Sequence, residues 1–161
     1  MPPAESPALD VPFCLAFEGC RSGILTRVSS GSDWPMMTPE VAEVCQTLAA
    51  REPLFHHPEH GVTRGDFEGQ TIADFWEVGA SGRVYKRDEI WRVLEHRYSD
   101  PTYADDWETS DFFCRRLGPQ TYLLTYVLHE GARITRRATV WREAGSTWQV
   151  VYHQGTIVDS T

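Results

Sequence analysis

Two residues combine a reactive side chain with an apolar setting. Glu77 stands inside Phe75-Trp76-Glu77-Val78, and His153 stands inside Val150-Val151-Tyr152-His153-Gln154-Gly155. A carboxylate desolvated beside aromatic rings holds its proton to higher pH, which suits a general acid or base. An imidazole moves protons near neutral pH. Side chains alternate along a strand, so Glu77 shares a face with Phe75 and Gly79. His153 is expected on the face of Val151 and Gly155, with Gln154 turned the other way. Glu77 and His153 are therefore the candidate catalytic pair. The competing roles are an ion pair from Glu77 to an arginine such as Arg83 or Arg142, and a hydrogen-bonded core position for His153.

Three further groups could bind rather than react. His56-His57-Pro58-Glu59-His60 contains metal-ligand residue types, but neighbouring histidines in an extended Pro-containing segment point apart. A solvated connector is expected there, with no metal. Arg133, Arg136, Arg137 and Arg142 fall on one strand, Arg136 and Arg142 on one face and Arg133 and Arg137 on the other. They could clamp an anion or pair with Asp105, Asp106, Glu108 and Asp111 across the sheet. The aromatics Trp76, Trp91, Tyr122, Tyr126, Trp141 and Trp148 either line an apolar pocket or fill a core. Cys14, Cys20, Cys45 and Cys114 lack the paired close spacing of a zinc site, so reduced thiols are expected.

The elements that must position these groups are read from caps and periodicity. Thr38, Pro39 and Glu40 form a helix start, and Val41, Val44, Cys45 and Leu48 give the apolar stripe of a helix over 39–51. Thr63 and Asp66 have capping-box spacing before a short helix at 64–72. A strand is expected over Asp74–Ala80, turning at Ser81-Gly82, with brief pairing at Val84-Tyr85. A helix follows over Arg87–Tyr98, with Ile90, Trp91, Val93, Leu94 and Tyr98 on one face. Four strands complete the order: Trp107–Leu117, Thr121–His129, Arg133–Glu143 and Trp148–Thr156. Their hairpin-length connections predict an antiparallel meander.

Residues 1–37 hold five prolines and no hydrophobic period, which reads as a flexible tail. Met36 and Met37 directly precede the first helix start, so the domain is expected over 38–156, with the upstream residues an over-extended start. Residues 157–161 read as a C-terminal tail. The chain has 161 residues, the size of one domain of ~100–200. Its formal net charge is −8, which disfavours nucleic acid and anionic membranes as partners. The mean hydropathy of −0.40 and the lack of a long apolar run exclude a membrane-spanning helix. With no secretory leader in MPPAESPALD, a cytoplasmic location is expected.

Glu52-Pro53, the run Phe75-Trp-Glu-Val-Gly-Ala-Ser-Gly-Arg83 and the closing Trp148-Gln-Val-Val-Tyr-His-Gln-Gly-Thr156 carry a resemblance. Together with the element order they resemble the nuclear-transport-factor-2-like superfamily, in particular small bacterial domains of unknown function related to the SnoaL-like cyclases. The resemblance covers about residues 38–156. It implies an α+β, cystatin-like cone in which a strongly curved antiparallel sheet wraps three N-terminal helices around a cavity. It also implies homodimerisation through the sheet. The superfamily includes isomerases, cyclases, dehydratases, transport adaptors and binding modules, so the fold leaves function open. A small hydrophobic or mixed-polarity ligand is the expected partner, held by Trp76, Tyr126, Trp141, Arg142 and Gln154, without a cofactor. The alternatives are a cofactor-free isomerase, cyclase or hydratase using Glu77 and His153, and a dimeric protein-interaction module.

Overall fold

A computed structural model describes residues 27–28, 36–104 and 106–158. Helix α1 spans Pro39–Ala49; the Thr38 hydroxyl accepts from the Val41 N–H at 3.4 Å. It buries Cys45, Leu48 and Ala49. A connector with a short 3-10 turn at Pro58–His60 leads to helix α2, Arg64–Gln70. The capping box is complete: Thr63 Oγ1 accepts from Asp66 N–H at 3.2 Å, and Thr63 N–H donates to Asp66 Oδ2 at 2.9 Å. Gly61 permits this, because its φ is +103° and an added Cβ would lie 2.2 Å from Asp66 Cγ. Removing the cap by Thr63→Ala should cost ~1 kcal/mol in a urea titration, a value set by the lost bond to an otherwise orphaned N–H. An unchanged midpoint would mean that tertiary packing alone holds this short helix.

Among the described residues one sheet has seven strands in the order β1-β4-β5-β6-β7-β2-β3. The strands are β1 Arg27–Val28, β2 Thr71–Val78, β3 Val84–Lys86, β4 Glu108–Gly118, β5 Thr121–Glu130, β6 Arg133–Ala144 and β7 Thr147–Ile157. Helix α3, Arg87–Ser99, follows β3 and buries Ile90, Trp91, Leu94 and Arg97. The architecture is α+β, as expected, and β4 to β7 form the expected antiparallel meander.

Two expectations change. The sheet is mixed: β2 runs parallel to β7, and β1 runs parallel to β4. Also, two helices precede β2 and the third follows β3, so the helices are not all N-terminal to the sheet. The parallel pairing arises because α3 and the whole meander intervene between β2 and β7, and no hairpin joins them. Arg27–Val28, inside the segment read as a tail, pair with β4. The rest of that segment lies outside the described residues, as do Cys14 and Cys20.

Strand alternation sorts the meander into two faces. The helix-side face carries Phe112, Cys114, Tyr122, Leu124, Tyr126, Leu128, Trp141 and Val150, all buried. Cys45 on α1 and Cys114 on β4 are free, buried thiols. No helix among the described residues is long and apolar enough to cross a membrane.

Candidate functional site

The inner face of β6 is the floor of the site. Thr135, Arg137, Thr139 and Trp141 recur every second residue, and each is buried. Against this row the connector after α1 inserts Glu52. The Arg51 N–H bonds Leu48 O and the Glu52 N–H bonds Ala49 O, so the chain winds past the helix end before Pro53 follows in a cis peptide. His57 Nε2 lies 2.9 Å from the Glu52 carbonyl oxygen, and its Nδ1 lies 3.1 Å from Glu59. The buried guanidinium of Arg97 in α3 bonds the Phe55 carbonyl and lies 3.0 Å from His56 Nε2, tying the connector to α3.

Three donors converge on the Glu52 carboxyl. The Tyr126 hydroxyl donates to Oε2 at 2.9 Å, the Thr139 hydroxyl to Oε1 at 2.6 Å, and the Trp141 indole to Oε1 at 3.3 Å. Burial pushes the Glu52 pKa up to about 7, against the pull of these donors and of Arg137. Burial also holds the Tyr126 hydroxyl well above its ordinary range.

His153 extends the cluster. Its Nδ1 lies 2.9 Å from Thr139 Oγ1. The single Thr139 hydrogen is committed to Glu52, so the oxygen accepts from His153 Nδ1–H. That tautomer leaves Nε2 bare, facing Arg137 Nη1 at 3.5 Å. Burial, then the neighbouring Arg137 charge, hold the His153 pKa well below its ordinary value, so the ring is neutral. The result is one directional chain of hydrogen bonds: Arg137 to His153 to Thr139 to Glu52.

Arg137 is nearly inaccessible. Its Nε donates to Thr135 Oγ1 at 2.9 Å, and Nη2 lies 3.5 Å from Glu130 Oε2. Glu77 adds a second negative charge in the field of Arg137. Glu77 has no exposed surface and is the register partner of His153 across the parallel β2–β7 pair.

The two proposed acid–base residues are thus brought together, on one face, beside a cation. Tyr126 and Trp141 belong to the same cluster through Glu52. Trp76, Arg142 and Gln154 do not. Trp76 lies on the opposite face, its ring 5.1 Å from that of Tyr152. Arg142 donates to Gln149 at 2.7 Å, and Gln154 accepts from the Tyr152 hydroxyl at 2.7 Å, also on that face. The five residues expected to hold one ligand are therefore split between two surfaces. Arg137 pairs with Glu130 rather than with Asp106, Glu108 or Asp111, while Asp105 lies outside the described residues.

Glu52 entered the sequence reading only as part of the Glu52-Pro53 pair that carries the resemblance, not as a site residue; Thr139 and the inward role of Arg137 were not singled out. The signal for β6 was present: counting back by two from Trp141 gives Thr139, Arg137 and Thr135. No comparable signal marked Glu52, which lies in a connector without periodicity. His153 shares its face with Val150 rather than Val151. The register shifts between Val140 and Trp141, which pair with Tyr152 and Val150, so Val151 is the extra residue of a bulge. Phe55 and His56 also line a 230 Å³ pocket with Arg97, Tyr98 and Tyr103. Among the described residues no group of three or more His, Cys, Asp or Glu is placed to hold a metal.

This α+β domain has the nuclear-transport-factor-2-like, cystatin-like fold. It is similar to an NTF2-like protein from Cytophaga hutchinsonii, with a TM-score of 0.52 and 16% identity over 76% of this chain and 100% of that one. An NTF2-like protein of unknown function from Pseudomonas putida aligns with a TM-score of 0.54 and 15% identity, over 78% of this chain and 92% of that one. An uncharacterised cystatin-like protein from Caulobacter vibrioides gives a TM-score of 0.53 and 16% identity, over 74% and 91%. No protein-family model and no curated protein matches the sequence. At these identities the likeness carries the fold alone.

Proposed function

We propose that the chain is a small-molecule-binding domain whose recognition chemistry lies in the buried Glu52–Thr139–His153–Arg137–Glu77 cluster. The observation that carries this is the composition of the core. Glu52, Glu77, Arg137 and His153 are each at most 3% exposed, on one inner face. Buried ionisable groups are a poor source of stability, since apolar side chains of similar volume serve as well or better. Perturbed, clustered titratable groups are more often found at functional sites. The connector that carries Glu52 also walls the 230 Å³ pocket, so a shift of one connector would couple that surface to the cluster.

A specific observation favours a second reading, proton-transfer catalysis without a cofactor. A carboxyl titrating at about 7 is matched to a general base at neutral pH. In that reading Glu52 takes the proton, and the neutral His153 responds through the Thr139 hydroxyl.

One experiment addresses both. The purified chain, incubated with a pool of small metabolites, is compared with Glu77→Gln and Glu52→Gln by native mass spectrometry. A bound mass in the parent that is lost in both variants, with thermal unfolding retained, is the expected result. Release of the mass unchanged supports binding alone, and release as an altered product supports catalysis. A parent spectrum free of any added mass, or equal uptake by all three proteins, sinks the assignment of this cluster.

A further inference from the structure

The opposite face of the sheet carries a separate feature. A groove of 460 Å³ is lined there by Asp111, Thr125, Val127, Arg136, Ala138, Gln154 and Thr156, with Tyr126 and Arg137 contributing from the same strands. Its outward-facing residues form two cross-strand rows. Thr125, Ala138 and Gln154 are register partners, as are Val127, Arg136 and Thr156. The next row, Leu123, Val140, Tyr152 and Trp76, is apolar and aromatic.

Three polar groups aim into or around this groove. Asp111 has φ +55°, a left-handed conformation uncommon for a side-chain-bearing residue. It sits in a bulge: Ser110 pairs with Val127 and Phe113 with Thr125, so Asp111 and Phe112 together stand opposite the single residue Tyr126. Bulges re-aim side chains, and strained backbone concentrates where a side chain has a task. Here Phe112 is buried inward, while Asp111 is exposed and lines the groove. Among the described residues the only hydrogen bond to its carboxylate comes from the adjacent Ser110 hydroxyl at 3.2 Å. Arg136, exposed on the same groove, makes no ion pair or hydrogen bond with a described side chain. Gln154 accepts from Tyr152 through Oε1, which orients its amide and leaves the NH₂ group as a donor.

The geometry points to a binding site for a small zwitterion, one molecule carrying both a carboxylate and an ammonium with an apolar body. Arg136 and the Gln154 amide would hold the carboxylate, and Asp111 the ammonium. Val127 and Ala138 supply an apolar floor. The argument rests on two opposite charges that line one groove without closing on each other. A ligand bearing a single charge would engage only one of them and leave the other to solvent. The groups proposed to hold the ligand, Arg136, Gln154 and Asp111, are not members of the Glu52 cluster, although Tyr126 and Arg137 border both, so the variants that test the two sites are different.

The probes are L-phenylalanine, 4-aminobutyrate and 6-aminohexanoate, which differ in the separation of their charges. Each is titrated calorimetrically into the full chain. Phenethylamine and N-acetyl-L-phenylalanine serve as partners that lack one charge. Saturable binding of at least one zwitterion, with single-charge analogues at least tenfold weaker, is expected. Arg136→Met should erase the preference for a carboxylate, and Asp111→Asn the preference for an ammonium, in proteins whose thermal unfolding is otherwise retained. Should Asp111→Asn fail to fold, Gln154→Leu tests the carboxylate end instead, with the same expected loss. No saturable heat from any zwitterion overturns the proposal, as does equal binding of charged and neutralised analogues. Sedimentation equilibrium supplies the third outcome. A dimer that Arg136→Met dissociates, without zwitterion binding, assigns this face to a second copy of the chain and overturns the ligand site.

Discussion

Glu52→Gln stabilises the fold at pH 8 by ~3 kcal/mol, and the gain disappears as the pH falls toward 4.5. The folded-state pKa of Glu52 is about 7 against an ordinary 4.5, and each unit of difference corresponds to ~1.4 kcal/mol. The folded pKa is the higher one. Between 4.5 and 7 the native state therefore holds a proton that the unfolded chain has released. Stability from this carboxyl is fully present below about 4.5 and is lost as the pH rises through 7. Glutamine is neutral at every pH and escapes that loss. Its carbonyl can accept from Thr139 and Trp141, and its NH₂ can donate to the Tyr126 oxygen, so the bonds around Glu52 survive. His153 titrates in the opposite sense. Its folded pKa is depressed below 6.5, so its contribution is lost as the pH falls below that value. It is common to both proteins and drops out of the difference. Urea titrations of the two at pH 8, 6 and 4.5 give the curve. A difference that is constant with pH, or that favours the parent at pH 8, would show that Glu52 remains a comfortable anion in the core.

Arg137→Met acts in the other direction. Arg137 sits with its side chain 2% exposed against Glu130 at 8%, and Glu77 lies in its field with no exposed surface. Removing one member of a buried ion group leaves charge without compensation, at a cost of ~3–5 kcal/mol. Methionine fills most of the volume, so packing contributes little to the loss. Denaturation midpoints of the two proteins at pH 8 measure this. If Arg137→Met does not fold, the pair Arg137→Met with Glu130→Gln should restore folding at pH 8. A single variant within ~0.5 kcal/mol of the parent, the usual range for a surface substitution, would refute the account of a charge-balanced core.

How much of this was legible in the residues can be followed element by element. The caps at Thr38 and Thr63 are local, because a hydroxyl and an N–H three residues on decide them, and both helices start where expected. The alternation of Tyr122, Leu124, Tyr126 and Leu128 is local too, and it correctly gives the buried face of β5. The start of β2 is different. The Thr71 hydroxyl bonds back to Phe67 O while the backbone at Thr71 is already extended, so helix passes into strand without a turn residue to mark it. The strand therefore begins at Thr71 rather than Asp74. Trp76 was read as a pocket residue from its type, yet alternation with the buried Phe75 and Glu77 puts it outward. Glu77 and His153 were found because each is a polar residue inside an apolar strand. Glu52 was noted only as part of the resemblance and missed as a site residue, because what defines it lies on other elements: Tyr126, Thr139 and Trp141 come from β5 and β6. Long-range convergence of this kind leaves no spacing in the chain.

The placement of β7 has a kinetic consequence. β7 is last among the described strands in sequence, yet it lies between β6 and β2 in the sheet. Until it docks, β2 with β3 and the β4–β6 meander are two separate pieces, each with an open edge. Pairing distant segments is slow, since the loop entropy is spent before contacts are gained. The same docking event brings His153 to Glu77 and to Thr139. Assembly of the acid–base cluster and closure of the sheet are thus one step. A chain that has not completed the sheet lacks the His153 contacts to Glu77 and Thr139, and its exposed β2 and β6 edges are the surfaces on which it would misassociate.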